Sequence, residues 1–120
     1  MSKTDGYTYE EQPIERNEVY SVYPVTKDEQ RYLSKVFVVK KVAQHQLQTV
    51  LEYNTEVLWT MREHPNWLRL KEISNYDLGV IHYYEAYECT LQDYIKKHPV
   101  DEKEAVLIVR DIMSAVYAAY

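Results

Sequence analysis

Glycine is almost missing from this chain of 120 residues; there are two, Gly6 and Gly79. No stretch can therefore form a glycine-rich loop, in which small residues let backbone amides close on a phosphate. Cysteine is rarer still. Cys89 stands alone, so no disulfide can form within the chain. It also lacks a neighbouring cation that would activate a thiolate, so nucleophilic chemistry is not expected there. No apolar run nears the roughly 18 residues of a membrane span, and the opening MSKTDGYTYEEQ lacks an apolar signal segment. The expected setting is cytoplasmic and reducing, with the cytoskeleton as one place of attachment. Basic residues are outnumbered, 14 against 19 acidic, for a net charge of −5. That excludes the basic stripe typical of nucleic-acid binders. His45, His64, His82 and His98 are scattered without ligand spacing, so no metal site is expected.

What is present points to one soluble globular domain, with a hydrophobic fraction of 46% and a charged fraction of 28%. Tyrosine dominates the aromatics, with 13 residues. A phenol packs by its ring and needs a polar partner for its hydroxyl, so these tyrosines are expected on surface-facing sides of strands. Residues 7–25 are rich in Tyr and Val, with EVYSVYPV at 18–25 the best strand candidate. TKDEQRYLSK at 26–35 is polar and reads as a turn or long hairpin connection. Lys35 to Val42 reads as the clearest strand. From Gln44 to Arg62 the apolar residues Leu47, Leu51, Leu58 and Met61 fall at helical spacing. His64-Pro65-Asn66 ends that helix.

Two further strands are expected at Trp67–Ser74 and Val80–Tyr87, joined by a hairpin turn at 75–79. Thr90 and Asp101 carry N-cap signatures for two final helices. The expected class is α+β: a five-stranded antiparallel sheet with one packed helix, followed by two helices.

Three stretches in this order, FVVKKV at 37–42, EHPNWLRL at 63–70 and YYEAYECTLQDYI at 83–95, resemble the small lobe of a eukaryotic protein kinase. The resemblance implies a small lobe over 7–87, then a hinge and the first large-lobe helices over 88–120, with 1–120 as one kinase-like domain fragment. It puts Lys40 at the V-A-I-K lysine, which in the family holds nucleotide phosphates and pairs with a glutamate on the next helix. Glu56 is the candidate glutamate, although a gapless match sets Thr55 there. Val38 takes the place of the alanine over the adenine. Tyr84 takes the gatekeeper place, and Glu85, Ala86 and Tyr87 take the hinge.

The same resemblance aligns Val19 with the valine of the phosphate loop, which puts Gln12, Ile14 and Asn17 at the three glycine positions. Glu15 and Glu18 would repel phosphate. A chain ending at Tyr120 stops short of H-R-D and D-F-G. The expectation is a non-catalytic, pseudokinase-like module that binds proteins or serves as a structural component of a larger assembly. Neither nucleotide nor other cofactor is expected. The alternative is the front part of a Ser/Thr-type protein kinase whose large lobe lies elsewhere.

One expectation stands apart from the resemblance. From Ala105 to Tyr120 the only polar residues without an aromatic ring are Arg110, Asp111 and Ser114. A helix apolar nearly all round is covered on most sides. Val106, Val109, Met113, Val116, Tyr117 and Tyr120 are therefore candidate contacts for another polypeptide.

Overall fold

The computed structural model describes residues 6–119. Strands β1 (Thr8–Tyr9), β2 (Glu15–Arg16), β3 (Tyr20–Lys27) and β4 (Gln30–Val38) come first. Helices α1 (Val39–Gln44) and α2 (Gln48–Thr60) follow, then strands β5 (Leu70–Tyr76) and β6 (Gly79–Glu85). Helices α3 (Leu91–Lys97) and α4 (Glu102–Ala118) close the order. The class is α+β, as expected. All pairings are antiparallel in the order β1-β3-β4-β6-β5, and β2 also pairs with β3. The edge strand is thus in two short pieces, which makes six strands at five positions.

Several expected boundaries move. Residues 26–35 are not a long connection. Strands β3 and β4 run through them and meet at a two-residue turn, where Asp28 and Glu29 have φ of 51° and 65°. Two successive left-handed residues make a turn whose twist matches the flanking strands. The strand expected to run to Val42 stops at Val38, and the chain passes directly into α1.

The single helix expected from Gln44 is also interrupted. Gln46 is left-handed, with φ of 56°. Its N–H donates to Ala43 O at 3.0 Å, and the Leu47 N–H donates to Val42 O at 3.0 Å. That pair of bonds is a Schellman cap, so α1 ends there and α2 starts afresh. The strand expected from Trp67 begins at Leu70 instead, because Trp67 N–H donates back to His64 O in a turn.

Gly79 is required by a close approach. A Cβ there would lie 1.9 Å from the Phe37 carbonyl oxygen, so only glycine lets β6 start opposite Val38.

Alternation along the strands separates two faces. On the outer face Tyr7, Tyr23, Val25, Val36, Ile81 and Tyr83 form the core cluster, with Tyr9, Tyr32 and Tyr76 packed beside it. Tyr7 and Tyr83 stack with centroids 3.8 Å apart. The Tyr7 hydroxyl donates to Glu72, and Tyr9 bonds Ser34 at 2.6 Å and Tyr83 at 2.9 Å. Tyr23, Tyr32, Tyr76 and Tyr83 stand on the face away from α2, covered by the segment around Tyr7–Tyr9, whereas Tyr20 and Tyr84 face α2. Several are core rather than surface residues.

On the inner face stand Tyr20, Lys35, Phe37, His82 and Tyr84, with α2 above them. Helices α3 and α4 begin at the expected caps. Thr90 Oγ1 accepts from Asp93 N–H at 3.2 Å, and Asp101 Oδ1 accepts from Glu104 N–H at 2.8 Å.

Candidate functional site

The inner face of the sheet, helix α2 and the last turn of α4 enclose a cleft of about 840 Å³. Leu51, Val57 and Leu58 of α2 form one wall, Phe37, His82 and Tyr84 the opposite wall, and Val116 of α4 closes one end. Helix α2 has no buried residue, so it stands off the sheet rather than sealing onto it. Trp67 holds α4 in place, its indole N–H donating to Ala115 O at 2.8 Å.

Lys35 is the one lysine or arginine in the lining. It is half-buried, and its Nζ lies 4.0 Å from the centre of the Tyr20 ring and 5.5 Å from that of Phe37. Burial lowers its pKa, and the more distant Glu15 partly offsets this. Among the described residues no carboxylate lies within 4.0 Å of it.

One hydrogen-bonded chain links the sheet to α2. Thr55 Oγ1 lies 2.7 Å from Leu51 O, an acceptor only, so the hydroxyl proton goes there. The 2.9 Å contact from His82 Nε2 must then be an N–H donating to Thr55 Oγ1. Nδ1 is left as the acceptor for the Tyr84 hydroxyl at 3.0 Å. His82 is held neutral: burial first, and the Lys35 charge second, push its pKa down to about 4. Burial likewise pushes the Tyr84 phenol up.

The segment at the place of a phosphate loop is closed on itself. Val19 and Tyr20 N–H both donate to the Asn17 side-chain oxygen, at 2.8 and 2.9 Å. Asn17 N–H donates to Tyr20 O, and Ile14 N–H to Val22 O. Glu18 sits at the mouth of the cleft, 3.3 Å from His45 Nε2.

The residues named from the sequence are only partly brought together. Val19 and Tyr84 line the cleft. Lys40 does not; it is exposed on α1, two residues past the end of the strand that was to carry it. Val38 pairs with Gly79 and lies outside the lining. Glu56 lines a second cavity of about 400 Å³ on the other side of α2, with Ile73 and Val80. The α2 residue that reaches the inner face is Thr55, where the gapless match set it. Glu85 closes β6, its N–H donating to Arg69 O at 3.0 Å. Tyr87 is exposed and close enough to Glu15 for that carboxylate to help raise its pKa, after burial.

Val106, Val109, Met113, Val116 and Tyr117 are all exposed on α4; Tyr120 lies outside the described residues. Lys35 and His82 were missed as site residues. The runs Tyr32-Leu33-Ser34-Lys35 and Ile81-His82-Tyr83-Tyr84 do not alternate apolar with polar, so no periodic signal marks Lys35 or His82. Among the described residues no group of three or more His, Cys, Asp or Glu could hold a metal ion. None of their helices is long and apolar enough to cross a membrane.

No family model matches the sequence, and no curated protein matches it. Among solved structures the fold is similar to the crystal structure of Rad53 1–466, a protein kinase, in complex with AMP-PNP, with a TM-score of 0.71 at 16% identity. The superposition covers 83% of this chain and 27% of that one, so the chain spans about a quarter of the kinase structure it matches. At that identity the likeness establishes the fold, which is kinase-like, and function has to be argued from the site.

Proposed function

We propose that this chain is a non-catalytic kinase-like module, acting as a protein-binding or structural component of a cytoplasmic assembly. The observation that carries the non-catalytic half is the turn at Asn17. A phosphate is cradled by backbone amides that point outward and unpaired. Here the Val19 and Tyr20 amides are both bonded to Asn17, and no glycine lies nearby to let a phosphate approach. Glu15 and Glu18 add negative charge at the same turn. The test is thermal melting of the full chain with and without Mg-ATP. A nucleotide bound only by the folded state raises the midpoint by mass action. The expected result is an unchanged midpoint. A rise that depends on Mg-ATP and is lost in Lys35→Ala would overturn this half of the proposal.

The protein-binding half rests on α4. Val106, Val109 and Met113 are 61, 57 and 62% exposed, and Tyr117 is 84% exposed. Burying a side chain such as Val or Met stabilises by about 1.5–3 kcal/mol, so a covering polypeptide has much to gain here. The expected behaviour of residues 1–120 expressed alone is self-association seen by light scattering, reduced in Val109→Lys/Met113→Lys. A stable monomer with a well-protected α4 in hydrogen exchange would overturn it.

A second reading, the front part of an active protein kinase, is favoured by the likeness to a kinase solved with AMP-PNP and by the quarter of its length that this chain spans. The Mg-ATP melting experiment separates the two.

A further inference from the structure

We propose that the cleft between the sheet and α2 binds a small amphipathic monoanion, an alkyl or aryl carboxylate with its apolar body along α2 and its carboxylate on Lys35. Four observations select that chemistry. The first is shape: about 840 Å³, within the range of pockets that take small organic ligands. The second is the wall. Leu51, Val57 and Leu58 present aliphatic surface, and α2 buries none of its residues against the sheet. The polar groups of the opposite wall are already satisfied, because Tyr84, His82 and Thr55 bond one another and end on Leu51 O. A ligand lying there meets apolar surface without orphaning a donor.

The third observation is the charge of Lys35. Its ammonium is half-buried between aromatic rings, with no carboxylate within 4.0 Å among the described residues. A carboxylate brought to it makes a charge-assisted hydrogen bond in a site of low dielectric.

The fourth sets an upper limit on ligand charge. Glu18 lies at the mouth and Glu15 acts on Lys35 from a distance, so a polyphosphate would be repelled where one carboxylate is not. A purine is disfavoured as the ligand body. Glu85 and Ala86 lie outside the lining of the cleft, and the Glu85 N–H is already bonded to Arg69 O. The inference goes beyond the protein-binding proposal and does not depend on it, because α4 contributes only its last turn to the cleft.

The experiment titrates the full chain with three probes of equal chain length below their micelle concentrations: dodecanoate, dodecan-1-ol and dodecyltrimethylammonium. Calorimetry gives affinity and stoichiometry. Dodecanoate is expected to bind one site at least about tenfold more tightly than either other probe, the worth of one good charge-assisted contact. Lys35→Met should lower dodecanoate affinity about tenfold and leave the alcohol unchanged, while Lys35→Arg retains binding. Val57→Trp, which fills the wall, should weaken binding of all three.

Equal binding of the three probes, a stoichiometry above one, or unchanged dodecanoate affinity in Lys35→Met would overturn the proposal. Should Lys35→Met fail to fold, the Cε resonance of Lys35 in the wild-type chain decides. A shift that saturates with dodecanoate supports the site, and a resonance that stays still overturns it. A Lys35-dependent Mg-ATP rise in melting would overturn the charge limit set by Glu15 and Glu18, whereas the ranking of the three probes is read without nucleotide, so failure of the non-catalytic reading and failure of this one are distinguishable.

Discussion

On the outer face of the sheet Tyr7 and Tyr83 are wholly out of solvent and stacked, with their hydroxyls bonded to Glu72 and Tyr9. On the inner face α2 contributes no buried residue and leaves a cavity on each side of itself. The two faces share their strands, so the difference lies in what covers them. A short extended segment carrying Tyr7 and Tyr9 lies flat on the outer face and fills it with aromatic area. A helix cannot lie flat on a face that carries Lys35, Tyr84 and His82, and it meets that face mainly through Thr55. Stability in this fold is concentrated on the side away from the cleft. The cleft side is left loose enough to accept something else.

Truncation across the two faces should give the largest contrast. Tyr83→Ala is expected to lower unfolding free energy by about 3–5 kcal/mol, as for other large aromatic truncations in a core. Val57→Ala on half-exposed α2 should cost within about 1 kcal/mol. Urea denaturation of the two variants measures both, and equal losses would erase the distinction between the faces.

Acid should act on the inner face alone. The unfolded chain protonates His82 near 6.5, whereas the folded chain resists until about 4. Between those values the unfolded state binds more protons, so stability is complete above about pH 6.5 and falls as the pH drops toward 4. The loss reaches about 3 kcal/mol at 1.36 kcal/mol per pH unit. His82→Gln should flatten the stability curve across that window. The same slope in wild type and variant would remove His82 as its source.

The smallest effects concern the two left-handed turns. Glu29→Gly and Gln46→Gly should each stabilise by about 0.5–1 kcal/mol, because left-handed geometry is costly for residues with a Cβ. The first acts on the hairpin that both faces share, and the second only on the helical side. Thermal midpoints that rise additively would confirm that the two turns are independent.

Much of the fold was legible because it is written in local chemistry. Thr90 and Asp101 are caps whose partners lie three residues on, and Gly79 marks a turn. The sheet and the main helix follow from periodicity. What was not legible depended on turns that lack their usual residues. Asp28-Glu29 has neither Asn nor Gly, so a tight hairpin looked like a long polar connection. That moved the strand five residues along the chain and set Lys40 where the fold sets Lys35, facing the cleft. Gln46 likewise ends a helix where glycine would have announced it. The tyrosine layer was hidden for another reason. Burial of Tyr7 against Tyr83 joins residues 76 positions apart, and no window of sequence contains both. The open cleft is a matter of how far α2 stands from the sheet, which periodicity cannot express.

The route of the Thr55 proton has a spectroscopic consequence. Because that proton goes to Leu51 O, the hydrogen on the His82 ring is confined to Nε2. The confinement depends on one turn of α2 being intact, since Leu51 and Thr55 face each other only in a helix. The nitrogen shifts of one imidazole therefore report whether that turn is wound. An occupant of the cleft that stretches or tightens α2 would be read from a single residue, without any label on the helix itself.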